Sequence, residues 1–370
     1  LTGALKMDIR KLKTILTTLV MFSLLTCGSA QAQNRVVVIP LFGEDPPEIE
    51  NVVVVAKTGG DFTDPISAMN SINDASQNKP YLIVIAPGTY SINQTLQVKP
   101  NVSIAGSSES NTIIRNSDPN NGTTLSFQNS GNDAISLSNI TIKNDSGGSE
   151  CTAIFSASFA TFDKVTAIAS GCTSSNTAME ASLGGVISNM TLIATGGNRA
   201  TGLVHSLAGS LALNNVTVAV VGNSESYGIL SYFAYFDINN SSITTGVQNG
   251  TAHALKMKVF NYVGVRESRI SNSTIRAFRN SGSGATIGVH VSDETKVYIQ
   301  RSTISADTAS LFADTDSSII VSASILEGST TAETGNTGIK KCVHSDDGEG
   351  NALNPPVSYT HLTLPTSVMV

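Results

Sequence analysis

Leu213-Asn214-Asn215-Val216-Thr217-Val218 and, 25 residues on, Ile238-Asn239-Asn240-Ser241-Ser242-Ile243 are two copies of one pattern. It reads apolar, two polar residues, a variable residue, a polar or small residue, apolar. Working outward, the pattern occurs upstream at Leu137–Ile142, Phe162–Ala167 and Ile187–Leu192, and downstream at Ile270–Ile275, Ile299–Ile304 and Ile320–Ile325. Its fourth positions (Ile140, Val165, Met190, Val216, Ser241, Ser273, Ser302, Ala323) stand 25, 25, 26, 25, 32, 29 and 21 residues apart. A period in this range marks a solenoid, in which each copy buries its apolar face only by stacking on its neighbours.

The residue types choose the kind of solenoid. Branched apolar side chains fill the outer columns and suit a pleated surface, whereas helical repeats would show 3.6-residue spacing over longer runs. Asn takes the third position in five of the eight copies (Asn139, Asn189, Asn215, Asn240, Asn272). Asn tolerates left-handed backbone geometry and so suits a sharp bend between two strands. In-register stacking would also let Asn side chains bond the copies above and below. The expected fold is all-β, a single-stranded parallel β-helix with Asn-rich corners.

Composition agrees with that reading. The 370 residues hold no Trp, 14% charged residues and 40% hydrophobic residues. Nucleic-acid binders need clustered Lys and Arg over a whole face, and disordered chains lack the apolar content for a core. Neither class fits.

Met7 reads as the start of an export signal. Arg10, Lys11 and Lys13 precede an apolar run, Thr14 to Leu25, that is too short to span a bilayer, and Ala30-Gln31-Ala32 is a small-x-small cleavage site. A lipoprotein reading with Cys27 acylated is the weaker alternative, because Thr26 is bulky beside the cleaved bond. Removing residues 1–32 takes away four basic and one acidic residue and moves the net charge from −6 to −9. No later stretch is long and apolar enough for a membrane span. Cys151 and Cys172, 21 residues apart, could lie on adjacent coils and pair, or remain as two partly buried thiols; Cys342 is left over.

The expected organisation is therefore a leader (1–32), an N-terminal cap with the first coils (33–115), the β-helix coils (116–330) and a C-terminal tail (331–355). Residues 356–370 break both repeat and composition and resemble a translated cloning linker. Within the entrance, Asp64-Pro65 signals a helix start, and Ile66, Met69 and Ile72 give a short amphipathic helix to about Ala75. An uncovered solenoid end exposes apolar cross-section and free strand edges, so this helix is the expected cap.

The same entrance carries a resemblance. Val54-Val55-Ala56-Lys57-Thr58-Gly59-Gly60-Asp61-Phe62, then Ile66 to Ile72, Ile83-Val84-Ile85-Ala86-Pro87-Gly88-Thr89-Tyr90 and Val102-Ser103-Ile104-Ala105-Gly106 resemble the start of pectinesterases. They are also similar to exported bacterial proteins of the pectin lyase-like superfamily. The resemblance implies a right-handed parallel β-helix with three sheets per coil and a carbohydrate-related role. The pectinesterase catalytic motifs do not carry over. Ile92 stands where the family has Glu after the Gly-x-Tyr turn, and Asp-Phe-x-Phe-Gly and Gly-Arg-Pro-Trp segments are absent. The Asp pairs of polygalacturonases and the Arg-x-Pro-x-x-Arg of pectate lyases are missing too. The shared part is scaffold.

Site candidates come from the most irregular coil. Each coil has a second strand with a small residue (Ala153, Ala178, Gly202, Gly228, Ala254, Gly288), 12 to 14 residues before the corner, except that the fifth needs 19. The extra residues fall within Lys256 to Arg269. Lys256, Lys258, Arg266, Arg269, Arg276 and Arg279 gather there, with Tyr227, Tyr232, Phe233, Tyr235, Phe236, Phe260 and Tyr262 close by. Strand parity puts Phe236 inside and Phe233 and Tyr235 outside. Outward aromatics stack on sugars and cations hold carboxylates, so Phe233, Tyr235, Lys256, Lys258, Arg266 and Arg269 form a candidate surface for an acidic polysaccharide. The competing readings are core filling for the aromatics and a solvated strand face for the lysines.

A lyase would need a base beside a neutralising group, and the spacing of Lys258 and Arg266 is compatible with that, though undemanding. His205, His253 and His290 lie on different coils, so no metal-ligand cluster and no cofactor is expected. Asp314-Thr315-Asp316 could meet calcium but reads better as an acidic turn. The reading is a non-enzymatic exported β-helix with a structural or carbohydrate-binding role. The alternative is a polysaccharide lyase or pectinesterase-like enzyme using the widened coil at 256–279.

Overall fold

The computed structural model describes residues 51–127, 135–207, 209–232, 235–258, 266–292, 295–314, 317–328 and 339–343, with Arg266 and 339–343 described by backbone alone. The leader, Phe233, Phe260, Tyr262, the Asp346–Gly350 acidic run and residues 356–370 lie outside them.

The chain is a parallel β-helix of about ten coils. Each coil lays down up to three strands, and every strand pairs in parallel with its counterpart one coil away. On the first face the inward column runs Leu137, Phe162, Ile187, Leu213, Ile238, Ile270, Ile299, Val321, each in register with the next. The second face stacks Ile142, Ala167, Leu192, Val218, Ile243, Ile275, Ile304 and Leu326 in the same way. These columns meet in one continuous core. The third face is a separate nine-stranded sheet, from Leu96–Val98 to Ala309–Ala313.

The three sheets expected per coil are these three faces, two of which join at one end. The strands Ile135–Asn144 and Ala160–Ser170 run unbroken through the corner and fuse the first two faces into one 20-stranded sheet.

The corner itself is one residue in left-handed geometry. Asn139, Lys164, Asn189, Asn215, Asn240, Asn272, Arg301 and Ala323 have φ between 47 and 56°. Asn dominates because its short polar side chain offsets the cost of that conformation. The Asn side chains form only short runs of bonds: Asn215 Nδ2 donates to Asn189 Oδ1 at 2.7 Å, and Asn189 Nδ2 to Asp163 Oδ1 at 2.7 Å.

The last copy was expected at Ile320–Ile325, and the structure shifts it by one residue. Val321, Ala323 and Leu326 align with Ile299, Arg301 and Ile304. Strand side chains alternate faces, so the shift exchanges inside for outside. Leu326 is buried at 1% exposure and Ile325 stands out at 38%.

At the entrance the helix is shorter than expected, Pro65–Ser71. Asp64 Oδ1 accepts from the Ile66 and Ser67 amides at 2.9 and 3.0 Å, and Pro65 takes the first turn. Ile72 is already extended, and the Lys99 ammonium donates to the Ile72 carbonyl, which a continuing helix would have used internally. Ala68, Met69 and Ile72 join the core with Val55 and Ile83.

The third face keeps small residues inward because neighbouring coils leave no room. A Cβ on Gly228 would lie 2.4 Å from the Ala254 carbonyl oxygen and 2.5 Å from Ile243 Cγ2. Cys151 and Cys172 form a disulfide at the edge of this face, with Cα atoms 5.6 Å apart.

Candidate functional site

Two polar surfaces of the solenoid carry chemistry, and they divide the residues that the sequence grouped together. The widened coil is absorbed between Thr251–Lys258, on the third face, and Arg266–Ser271, on the first. Residues 259–265 lie outside the described ones. Lys256 and Lys258 therefore belong to the third face, and Tyr235 and Arg269 to the first. For Arg266 only its backbone pairing with Thr295 is described.

The first surface is a shallow groove of ≈ 330 Å³ on the outer side of the first face, lined by Asp237, Glu267, Arg269, Ile270, Ser271, Tyr298 and Gln300. Strand alternation produces it. Ile238, Ile270 and Ile299 point into the core, so Asp237, Arg269 and Tyr298 form an outward column in register. Ser271 and Gln300 stand beside them in a second column.

Tyr298 is held in place. Its hydroxyl donates to Glu267 Oε1 at 3.1 Å, and the Lys296 ammonium lies 4.8 Å from its ring centroid. Lys296 also pairs with Glu267 at 3.1 Å. The bonds from Lys296 and Tyr298 hold the Glu267 carboxyl below its ordinary range. The groove thus offers a braced aromatic ring, an exposed guanidinium, two carboxylates and an amide. Tyr235, 39% exposed, opens the strand that carries Asp237, while Phe236 is buried.

The second surface, on the third face, was not foreseen. The sequence placed His253 and His290 on different coils and saw no cluster; the fold brings them together. Tyr227 and His253 are in register and stack at 5.6 Å with planes 8° apart. His253 and His290 have ring centroids 5.1 Å apart, and their Nδ1 atoms are separated by 3.4 Å. His290 Nε2 lies 3.2 Å from Asp314 Oδ2. Arg199 and Lys256 lie 5.9 and 5.8 Å from the Tyr227 ring centroid, and Arg199 pairs with Glu225 at 2.7 Å.

Burial governs the acid–base behaviour of this surface. It lowers His253 to about 3, with the charge of Lys256 and then His290 adding to the effect. It pushes Lys256 below its ordinary value, reinforced by Lys258, and raises Tyr227 and, further along the face, Glu180. His205, in the interior against Phe236, is lowered to about 4 by burial, against a weak contact to the Leu183 backbone; neither of its ring nitrogens makes a hydrogen bond of normal geometry.

The signal that could have found the pair is a column alignment of the third face. His290 sits in register with Lys256, three residues along the strand from His253. Its partner Asp314 is the first residue of the acidic turn considered for calcium; Thr315 and Asp316 lie outside the described residues. Lys258 and Arg266, the pair considered for catalysis, end one face and begin another.

No protein-family model matches the chain, and no curated protein does. Among solved structures, pectin methylesterase PemA from Erwinia chrysanthemi is 12% identical over 79% of this chain and 92% of its own, with a TM-score of 0.44. The A-module of mannuronan C-5 epimerase AlgE4 from Azotobacter vinelandii is 12% identical over 77% and 91%, TM-score 0.44. The Dettilon tailspike protein is 10% identical over 79% and 68%, TM-score 0.46. At such identities and TM-scores nothing of those proteins carries over to this chain. The registers of its own strands make the chain a parallel β-helix.

Proposed function

We propose that this protein is an exported, non-catalytic β-helix that binds an acidic polysaccharide along the groove on its first face. The observation that carries the reading is the outward column Asp237–Arg269–Tyr298 beside Ser271 and Gln300. Sugar recognition needs planar polar groups that pair with neighbouring hydroxyls and an aromatic face for the ring's C–H side; Arg269 adds a fork that fits a carboxylate. Coils repeat at strand spacing, so an extended polymer lying along the axis meets one side chain of the column at each step. The export signal at the N-terminus supports action outside the cytoplasm.

Calorimetric titration with polygalacturonate and alginate oligomers tests this. The expectation is binding that weakens about tenfold, or about 1.4 kcal/mol, in Arg269→Ala and in Tyr298→Ala. Neutral oligomers should bind less well. Unchanged binding in both variants removes the groove from the reading. Release of methanol or of unsaturated ends would turn it toward the enzymatic alternative at 256–279, where loss of turnover in Lys258→Ala and Arg266→Ala is the deciding result.

A further inference from the structure

The histidine pair on the third face plays no part in the groove, and its geometry is specific. We propose that His253 and His290 form an open site for a divalent transition cation of the zinc, nickel and copper class, buttressed by Asp314. Three observations converge.

The first is the separation of the Nδ1 atoms, 3.4 Å. Protein N–H···O hydrogen bonds run about 2.7–3.2 Å, so as a hydrogen bond this contact is a long one. Two imidazole nitrogens each about 2.0–2.1 Å from one tetrahedral ion stand roughly 3.3–3.4 Å apart. The ring centroids are only 5.1 Å apart, so the rings lean toward one another instead of meeting end to end. The second is the contact of His290 Nε2 with Asp314 Oδ2. Donation of the Nε2 proton to a carboxylate leaves the Nδ1 lone pair facing His253, the tautomer and bracing that metal-bound histidines use. The third is that ring contacts from Tyr227 to His253 and from Phe312 to His290 hold the two imidazoles in these positions.

The remaining features set the character of the site. Among the described residues no three His, Cys, Asp or Glu side chains gather around one point. The described residues thus supply two ligands, with water or an anion completing the shell. Imidazole donors favour the later first-row ions over calcium or magnesium, which prefer oxygen. Lys256, in register with His290, brings a positive charge that opposes a cation here. Tyr227 and Phe312 cover the pair along the face by ring contacts.

The test is calorimetric titration of tag-free protein with zinc chloride and nickel chloride at neutral pH, and with calcium chloride alongside. One zinc or nickel per chain is expected, with no calcium binding at the same concentration. His253→Gln and His290→Gln should each abolish it. Asp314→Asn, on a side chain 45% exposed, should fold normally and weaken binding 10–100-fold. Lys256→Met should tighten it severalfold. No binding of zinc or nickel, equal binding of calcium, or zinc binding that survives in the His253→Gln/His290→Gln double variant would overturn the proposal. Should a histidine variant misfold, the opposed responses of Asp314→Asn and Lys256→Met still decide: binding unmoved in both overturns it.

Discussion

In the N-terminal coils the residue after each left-handed corner is Ile140, Val165, Met190 or Val216; in the C-terminal coils it is Ser241, Ser273, Ser302 or Ser324, and all eight are buried. The same place in the same bend is filled by hydrocarbon in one half and by hydroxyl in the other. The serines answer burial by complete bonding. Each Oγ donates to the carbonyl two residues back at 2.7–2.8 Å, and accepts from the amide of the equivalent residue one coil earlier at 3.1 Å. The first rung reaches across the boundary, from the Val216 amide to Ser241 Oγ. A buried hydroxyl is tolerable only when satisfied, whereas an apolar side chain gains by burial alone. The difference teaches that the fold prescribes size and inward direction here, and leaves polarity to whichever neighbours can complete the bonding.

Acid should strike both halves hardest. His205 belongs to the apolar half and His253 to the serine half. Unfolded, each takes a proton near 6.5; folded, they resist until about 4 and about 3. Stability is therefore full above pH 6.5 and falls as the pH drops toward these folded values, by up to roughly 3 kcal/mol for each at pH 4. Hydrogen exchange at pH 7 and pH 4 should show opening around both. His205→Phe should protect the first region alone.

Next in size, Met190→Ala should cost about 2–5 kcal/mol by leaving a cavity, read from urea unfolding. Opening the Cys151–Cys172 disulfide, which lies only in the apolar half, should cost about 3 kcal/mol there. Ser273→Ala should cost about 1–3 kcal/mol, because the buried Ser241 amide loses its acceptor. A Ser273 variant as stable as wild type would break the comparison. At the corner itself the two halves should agree: Asn215→Ala loses about 1 kcal/mol, and Ala323→Asn, at φ 47°, gains a similar amount.

How far the sequence could be read follows from which residues repeat. Columns such as Leu213, Ile238 and Ile270 are legible because strand stacking places like side chains over like, and Asn at the bend announces its own geometry. The last copy misled because Ile320 and Val321 offer two apolar parities, as do Ile325 and Leu326; Ser324, continuing the serine column, is the residue that decides. The fusion of two faces into one sheet leaves no trace in Asn139 or Lys164, since a left-handed residue can interrupt a strand or sit within one. Of the residues lining the groove only Arg269 was among the sequence candidates, because Tyr298 and Glu267 come from strands whose charges look like ordinary solvent-facing alternation. The histidine pair was hidden by its diagonal placement: His253 has Ile287, not His290, in register above it.

The passages into and out of the third face are where the coils differ in length. Two residues separate Gly222 from Glu225 and six separate Arg279 from Thr286 on the way in, and three separate Ser156 from Ala160 on the way out. The Asn corner admits a single residue every time. Foreign peptide spliced into these elastic passages would leave the winding intact, while one added residue beside Asn215 would turn a whole strand inside out. Novelty in this molecule therefore has a preferred address, the connecting segments along the two edges of the third face.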